Sequence, residues 1–389
     1  MTTPSVPAPT PEAQPLLQPA VLGDLRLPNR VVMAPTTRAR ATNAGLVPTE
    51  LHAAHYAQRA GAGLIIAEGT WVSPRAIGFR HVPGIYTEEQ IAGWRRVTDA
   101  VHERGGRMVL QLWHTGAASH PDHLGGALPA GPSAVDPGVR SFTADGFKDT
   151  VTPREMTAED LRDTLADYRT ASANARRAGF DGVELAANGV FLMAQFLSPR
   201  LNRRDDAYGG DRAGRRRLLL ETVDAIAAPW DGRRVGVRLS PYWTADRHFA
   251  ADEETLADYD ALVDRLNDHP VAYLHLRGPD LPPGAAPDPA AFARFRRRFA
   301  GPLIANLGFD RESGNALIGA GLADAVSFAT LFIANPDLVT RFALGRAPAV
   351  GDPATYYTGE ARGYVDYPVC EGDGAGDPVT YDPRRTSWR

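Results

Sequence analysis

Thr37, Gln111 and Arg238 each stand in or just beyond a short apolar run, in VVMAPTT, MVLQLW and VGVRL. Gathered in one place they would offer a hydroxyl, an amide and a permanent cation, with no activated nucleophile among them. That set suits the edge of a flat heteroaromatic ring bearing carbonyl and imide groups. Taken singly, Arg238 reads as well as the partner of a core carboxylate, and Gln111 as an amide that satisfies loop backbone. Other chemistries find less support. His114, His120 and His123 lie close in sequence, but the last two fall in a Gly/Pro-rich loop where a solvated histidine is ordinary, so no metal centre is expected. A glycosidase needs two carboxylates about one bond. Glu68 and Glu184 stand in strands whose neighbours offer no acid partner, and read as buried structural carboxylates. There is no Gly-x-Ser-x-Gly elbow, no Gly-x-Gly-x-x-Gly joining a strand to a helix, and no histidine in sequence near the single cysteine, Cys370.

The elements that must position these groups follow from hydrophobic pattern. Eight short runs dense in Val, Ile and Leu, without polar alternation, read as strands buried on both faces of a parallel sheet: 31–34, 63–68, 108–113, 181–186, 235–239, 272–276, 303–306 and 324–328. Helical stretches separate them. Thr87 to Gln90 and Thr157 to Asp160 have the form of capping boxes, and Asp252 precedes an apolar stripe at helical spacing. Eight strand-then-helix units predict an α/β fold, a (β/α)8 barrel whose active site lies at the C-terminal ends of its strands. Residues 114–156 are too long for an ordinary connection and read as an excursion over the barrel mouth. The segment after the last helix, irregular and aromatic, is expected to fold back on the same face.

Composition agrees with one globular domain over residues 16–368, flanked by a disordered Pro-rich tail at 1–15 and a C-terminal tail at 369–389. A net charge of −4, with arginine clusters inside helical stretches, argues against a nucleic-acid partner. No apolar run is long enough to span a membrane, the first 15 residues lack the pattern of a secretory signal, and one cysteine fits the cytoplasm. The partner expected is a small, hydrophobic substrate; the sequence sets no oligomeric state.

Seven segments, LPNRVVMAPTTRAR, AGLIIAEGT, VLQLWHTG, FLSPRLNRR with YGG, VGVRLSP, FIANPDL and GYVDYP, together resemble the old yellow enzyme family of FMN-dependent NAD(P)H oxidoreductases, collinearly from Leu16 to Pro368. The resemblance implies FMN at a barrel mouth and reduction of activated alkenes with NAD(P)H as reductant. It assigns Pro35, Thr36, Thr37 and Gly69 to flavin contacts, and Gln111 and Arg238 to the pyrimidine edge of the isoalloxazine. Asn306, Gly308 and Thr330 fall toward the phosphate end. Phe79, Trp113, Asn188, Phe191, Tyr242 and Tyr364 are the substrate-pocket candidates.

Departures from the family are concentrated in the chemistry. Where the family carries a His/His or His/Asn pair that holds a substrate carbonyl, followed by a proton-donating Tyr, this chain has Ala186, Gly189 and Phe191; a one-residue shift brings only Asn188 into the second place. Phe79 replaces another pocket Tyr. Ala329-Thr330 replaces the usual Gly-Arg that pairs the FMN phosphate, and Leu307 stands where a small residue is usual; Arg277 is a possible electrostatic replacement. The expectation is therefore an FMN oxidoreductase with an atypical pocket. The alternatives are a flavin-free barrel doing isomerisation or cyclisation on a hydrophobic substrate, and a non-catalytic binding protein.

Overall fold

The computed structural model describes residues 14–245, 248–282 and 284–370. Eight parallel strands form the barrel: β1 (Val31–Met33), β2 (Leu64–Ile66), β3 (Met108–Trp113), β4 (Gly182–Ala187), β5 (Val235–Leu239), β6 (Val271–Arg277), β7 (Leu303–Asn306) and β8 (Ala325–Phe328). They pair in chain order, β8 closes onto β1, and β3 pairs with β4 through Val109–Leu112 against Gly182–Leu185. The apolar runs thus mark all eight strands, because each is buried by helices outside and by side chains within.

A helix follows each strand: α1 (Glu50–Ala57), α2 (Glu88–His102), α3 (Ala158–Arg177), α4 (Arg212–Ala227), α5 (Glu253–Leu266), α6 (Pro289–Arg296), α7 (Arg311–Gly319) and α8 (Leu338–Leu344). Their starts are chemical. Thr87 and Thr157 accept the third backbone N–H of α2 and α3 in reciprocal capping boxes, and Asp252 accepts from Thr255 N–H at the start of α5. Short helices Leu192–Leu197 and Thr330–Ala334 follow the ends of β4 and β8.

The barrel is sealed at the N-terminal end. A hairpin of Ala20–Leu22 and Leu25–Leu27 packs its leucines against Val32, Leu64, Ile66, Val109, Tyr273, Ile304 and Ala325. Its turn requires Gly23, at φ +59°, where a Cβ would lie 2.7 Å from that of Ala272. With that end closed, a ligand can reach the interior only past the C-terminal strand ends. There the 114–156 excursion forms a hairpin, Arg140–Thr143 with Gly146–Asp149, whose Phe142 bridges to Phe79. Residues 353–368 fold back against the loop after β1. Gln14 and Pro15, placed in a tail by sequence, begin a buried turn instead, because Leu16 packs into the core; 1–13 and 371–389 lie outside the described residues.

Candidate active site

Alternation along the strands stacks the barrel interior in layers. Above the apolar floor, Gln111, Glu184, Arg238, His275, Asn306 and Ser327 form a polar layer. Gln111 Nε2 donates to Glu184 Oε1 at 2.8 Å, and His275 Nδ1 lies 2.9 Å from Glu184 Oε2. His275 Nε2 is 2.8 Å from Ser327 Oγ, which also accepts Asn306 Nδ2 at 2.8 Å. Asn306 Oδ1 accepts from Arg238 Nη2 at 3.1 Å, and Arg238 Nη1 lies 3.5 Å from the Pro35 carbonyl, so the guanidinium joins the ends of β5, β7 and β1.

Burial alone would raise the Glu184 carboxyl, but His275, Arg238 and Gln111 hold it below its usual range. Burial pushes the His275 imidazole down and keeps it neutral. Glu184 is therefore the counter-charge of Arg238, and the structural reading of that carboxylate is the geometric one. Glu68 lies in a separate buried cluster, accepting from the Arg38 N–H and the Tyr56 hydroxyl; burial pushes it up to about 7.

At the ends of β5 and β6 two cations retain unused donors. Arg238 Nε and Arg277 Nη1 are buried with no partner, and Arg277 stands beside Asn306 in the β6–β7 register. Unmatched guanidinium N–H groups at a half-open strand end are costly unless a ligand accepts them. Gly69 lets the Trp113 ring pack against the end of β2, where a Cβ would meet it at 2.5 Å. Pro35, Thr36 and Thr37 are half-buried at the same rim. These features fit FMN, a planar ring with carbonyl and imide acceptors joined to a dianionic phosphate.

The phosphate end is the less regular one. Leu307 holds φ +92° and Gly308 φ +78°, so a β-carbon occupies a backbone conformation that glycine adopts freely. Exposed Thr330 opens the short helix after β8 and, with Arg311 and Arg346, lines a cleft of about 590 Å³. Arg311 is tied to Glu312.

The upper layer is aromatic and carries little that can move a proton. Trp113 stacks on Trp71 at 4.4 Å, and Phe191 meets Trp113 edge-on at 4.7 Å. Ala186, in register with Arg238, is buried, and the Gly189 N–H donates to Ser240 Oγ at 2.7 Å. Trp113 Nε1 and Asn188 Oδ1 are buried without partners.

Two pocket candidates are placed elsewhere. Tyr364 is fully enclosed, stacked on His55 at 3.8 Å and under the Arg38 and Arg40 guanidinium groups, because those arginines clamp carbonyls of the returning tail. Tyr242 turns toward α6, where its hydroxyl donates to the Ala291 carbonyl. The tail residue beside Phe79 is Tyr357, with ring centroids 5.6 Å apart and its side chain half exposed. An aromatic-rich tail without periodicity gave no means of choosing among its tyrosines. The Ser327–His275 link was equally hidden, though period-two alternation puts both residues inside the barrel. His114 is a structural histidine: it is buried and its Nδ1 accepts the Gly116 N–H. Among the described residues no group of three or more His, Cys, Asp or Glu is placed to hold a metal, and no helix is long and apolar enough to cross a membrane.

Comparison with known proteins agrees with this geometry. Residues 15–348 match the model of the NADH:flavin oxidoreductase / NADH oxidase family. The chain is 39% identical over 365 residues to 12-oxophytodienoate reductase 1 of Oryza sativa subsp. japonica, covering 92% of this chain and 94% of that protein. Among solved structures it is similar to morphinone reductase, with TM-score 0.88 and 42% identity over 94% of this chain and 99% of that one. It is also similar to the old yellow enzyme homologue of Zymomonas mobilis, with TM-score 0.85 and 35% identity over 91% and 99%. A closed barrel with a buried polar layer below its mouth, and a family match over most of its length, make this chain a member of the old yellow enzyme family and an FMN-dependent NAD(P)H oxidoreductase.

Proposed function

We propose that this enzyme reduces the activated double bond of hydrophobic substrates in a pocket that has given up both the carbonyl clamp and the tyrosine acid. FMN, when bound, would supply the hydride chemistry between the reduced nicotinamide and the β-carbon of the alkene. Thr37, Gln111 and Arg238 would hold the pyrimidine edge with Asn306 seating Arg238, Pro35, Thr36 and Gly69 would border the ring, and Gly308, Thr330 and Arg277 would meet the ribityl phosphate. Support for a nicotinamide reductant comes from a solved complex of morphinone reductase with tetrahydroNAD. The relatives named as reductases of 12-oxophytodienoate and morphinone support an alkene substrate.

One observation carries the atypical part. At the substrate end the chain presents a methyl at Ala186, bare backbone at Gly189 and a phenyl at Phe191, none of which donates a side-chain hydrogen bond. Two aromatic clusters, Trp113 with Phe191 on enclosed Trp71 and Phe79 with Phe142 and Tyr357, would bind apolar surface and exclude water. The polar side-chain groups near a substrate are then Trp113 Nε1–H, the Asn188 amide and the Tyr357 hydroxyl. The proton that follows hydride comes from solvent or from the substrate.

Separating the two half-reactions tests this. NADH or NADPH should bleach the bound flavin normally. Cyclohexenone and simple maleimides should restore the colour slowly, larger apolar alkenes faster, and the alkene step should slow in deuterated solvent. Cyclohexenone turnover at ordinary ene-reductase rates would show the clamp to be dispensable and end the proposal.

A further inference from the structure

The buried polar layer is a single directed hydrogen-bond chain. A carboxylate only accepts, so Gln111 must turn its NH2 down to Glu184. Its carbonyl oxygen is thereby left for the mouth. On the other side, Asn306 spends Nδ2 on Ser327 Oγ and the Ser327 carbonyl, which leaves Oδ1 to accept from Arg238. The neutral His275 ring faces a carboxylate through Nδ1, so that nitrogen carries the proton and Nε2 accepts; Ser327, which accepts from Asn306, therefore turns its hydroxyl to Nε2 at 2.8 Å in preference to the Ala305 carbonyl at 3.4 Å. Every link runs the same way, from Arg238 through Asn306, Ser327 and His275 to Glu184, where Gln111 arrives from the opposite side. Glu184 and His275 are completely buried and Ser327 almost so, which keeps all three beneath the ligand-facing groups.

From this geometry we infer that Glu184, His275 and Ser327 are positioning residues that touch neither flavin nor substrate, yet set the amide direction of Gln111 and the seat of Arg238, and with them FMN affinity and reduction potential. The chain has a cation at one end and an anion at the other, so each bond polarises the next. Neither end can reverse, since the Glu184 carboxylate only accepts and the Arg238 guanidinium only donates, so removing a middle member leaves its neighbours unpaired. Arg238 would lose the bond that aims its free Nε. Gln111 is free to turn a donor to the flavin edge only where Glu184 is replaced by a group that can itself donate. Because Glu184 opposes the charge of Arg238, its negative charge also lowers the ease with which electron density can be added to a ring held above.

The test uses full-length protein, FMN titration of the apoprotein and a redox titration of the loaded form. Ser327→Ala removes one hydroxyl from the middle of the chain. It should weaken FMN binding about tenfold, the effect of one lost hydrogen bond to a charged network, and shift the flavin potential to more negative values. Glu184→Gln keeps shape, removes the opposing charge, and should shift the potential to more positive values while weakening FMN. The control is Ser172→Ala on α3, which removes an equally buried hydroxyl that donates to the Ile226 carbonyl and accepts from Trp230 Nε1, far from the mouth. It should lower Tm without moving either flavin property. If Ser327→Ala lowers Tm as Ser172→Ala does, and binding and potential stay at wild-type values, the inference is wrong. Should Glu184→Gln fail to fold, Ser327→Ala decides alone. The inference rests on FMN occupying the mouth: wild-type protein that takes up no FMN removes both readings, whereas normal uptake with no response to Ser327→Ala removes only this one.

Discussion

Restoring a single donor at position 189 should recover part of the missing carbonyl clamp. Gly189 sits at φ +61°, the left-handed region that asparagine tolerates better than other side chains, so Gly189→Asn should cost about 1 kcal/mol or less in backbone conformation. Space is available. A Cβ at Gly189 meets nothing closer than the Phe191 ring at 3.6 Å, an ordinary contact, and the backbone N–H keeps its bond to Ser240. One preorganised donor to a developing oxyanion is worth about 10²- to 10³-fold in a closed site. Here the neighbouring Ala186 supplies no second donor and the loop is half-open, so about tenfold in kcat/KM for cyclohexenone is the expected gain, or roughly 1.4 kcal/mol. Anaerobic stopped-flow should show the gain in the alkene step, with flavin reduction by NADH unchanged. If a folded, FMN-loaded Gly189→Asn protein turns over cyclohexenone no faster than wild type, the missing clamp is not what limits small enones.

Three further outcomes follow from the same geometry. Arg277→Met removes a buried, unmatched guanidinium N–H and a surface pair with Asp280; it should weaken FMN about ten- to a hundredfold by titration while leaving Tm nearly unchanged. Tyr364→Phe deletes a buried hydroxyl that has no partner and should leave KM at its wild-type value, whereas Tyr357→Ala should raise KM for an apolar alkene severalfold; equal effects would contradict the placement of these rings. Glu68 has a folded-state pKa of about 7, above its unfolded value, so the folded form holds the extra proton. That stability is fully present below the unfolded pKa and is lost as pH rises through about 7, amounting to roughly 3 kcal/mol at most. Denaturant titrations of Glu68→Gln between pH 4.5 and 8 should show a flatter profile than wild type, and an unchanged slope would refute the assignment.

The barrel and the place of its chemistry were legible because every strand is buried on both faces, which leaves runs such as VVM and LIIA with no polar alternation to confuse them. Gln111 and Arg238 stood out as polar interruptions in those runs. Their connection did not, because Ser327 and His275 look like any strand residue until closure of the barrel sets β6, β7 and β8 side by side. The tail was less legible still. Arg38 and Arg40 grip its backbone carbonyls, so its path depends on groups that are the same at every residue, and nothing in the tail sequence distinguishes enclosed Tyr364 from Tyr357 on the rim.

The central claim is that Arg238 and Gln111 hold the edge of an FMN above a barrel whose other end is closed. Titrating FMN into apoprotein and into Arg238→Gln, followed by the flavin visible spectrum and its bleaching by NADH or NADPH, tests it most directly. Wild type should turn yellow with saturable binding and bleach on addition of the reduced nicotinamide, and Arg238→Gln should bind at least a hundredfold more weakly, since a charged contact is lost and Glu184 keeps its hydrogen bonds but loses its counter-charge. Colourless wild-type protein that takes up no added FMN, or an Arg238→Gln variant that binds it as tightly as wild type, would contradict the account.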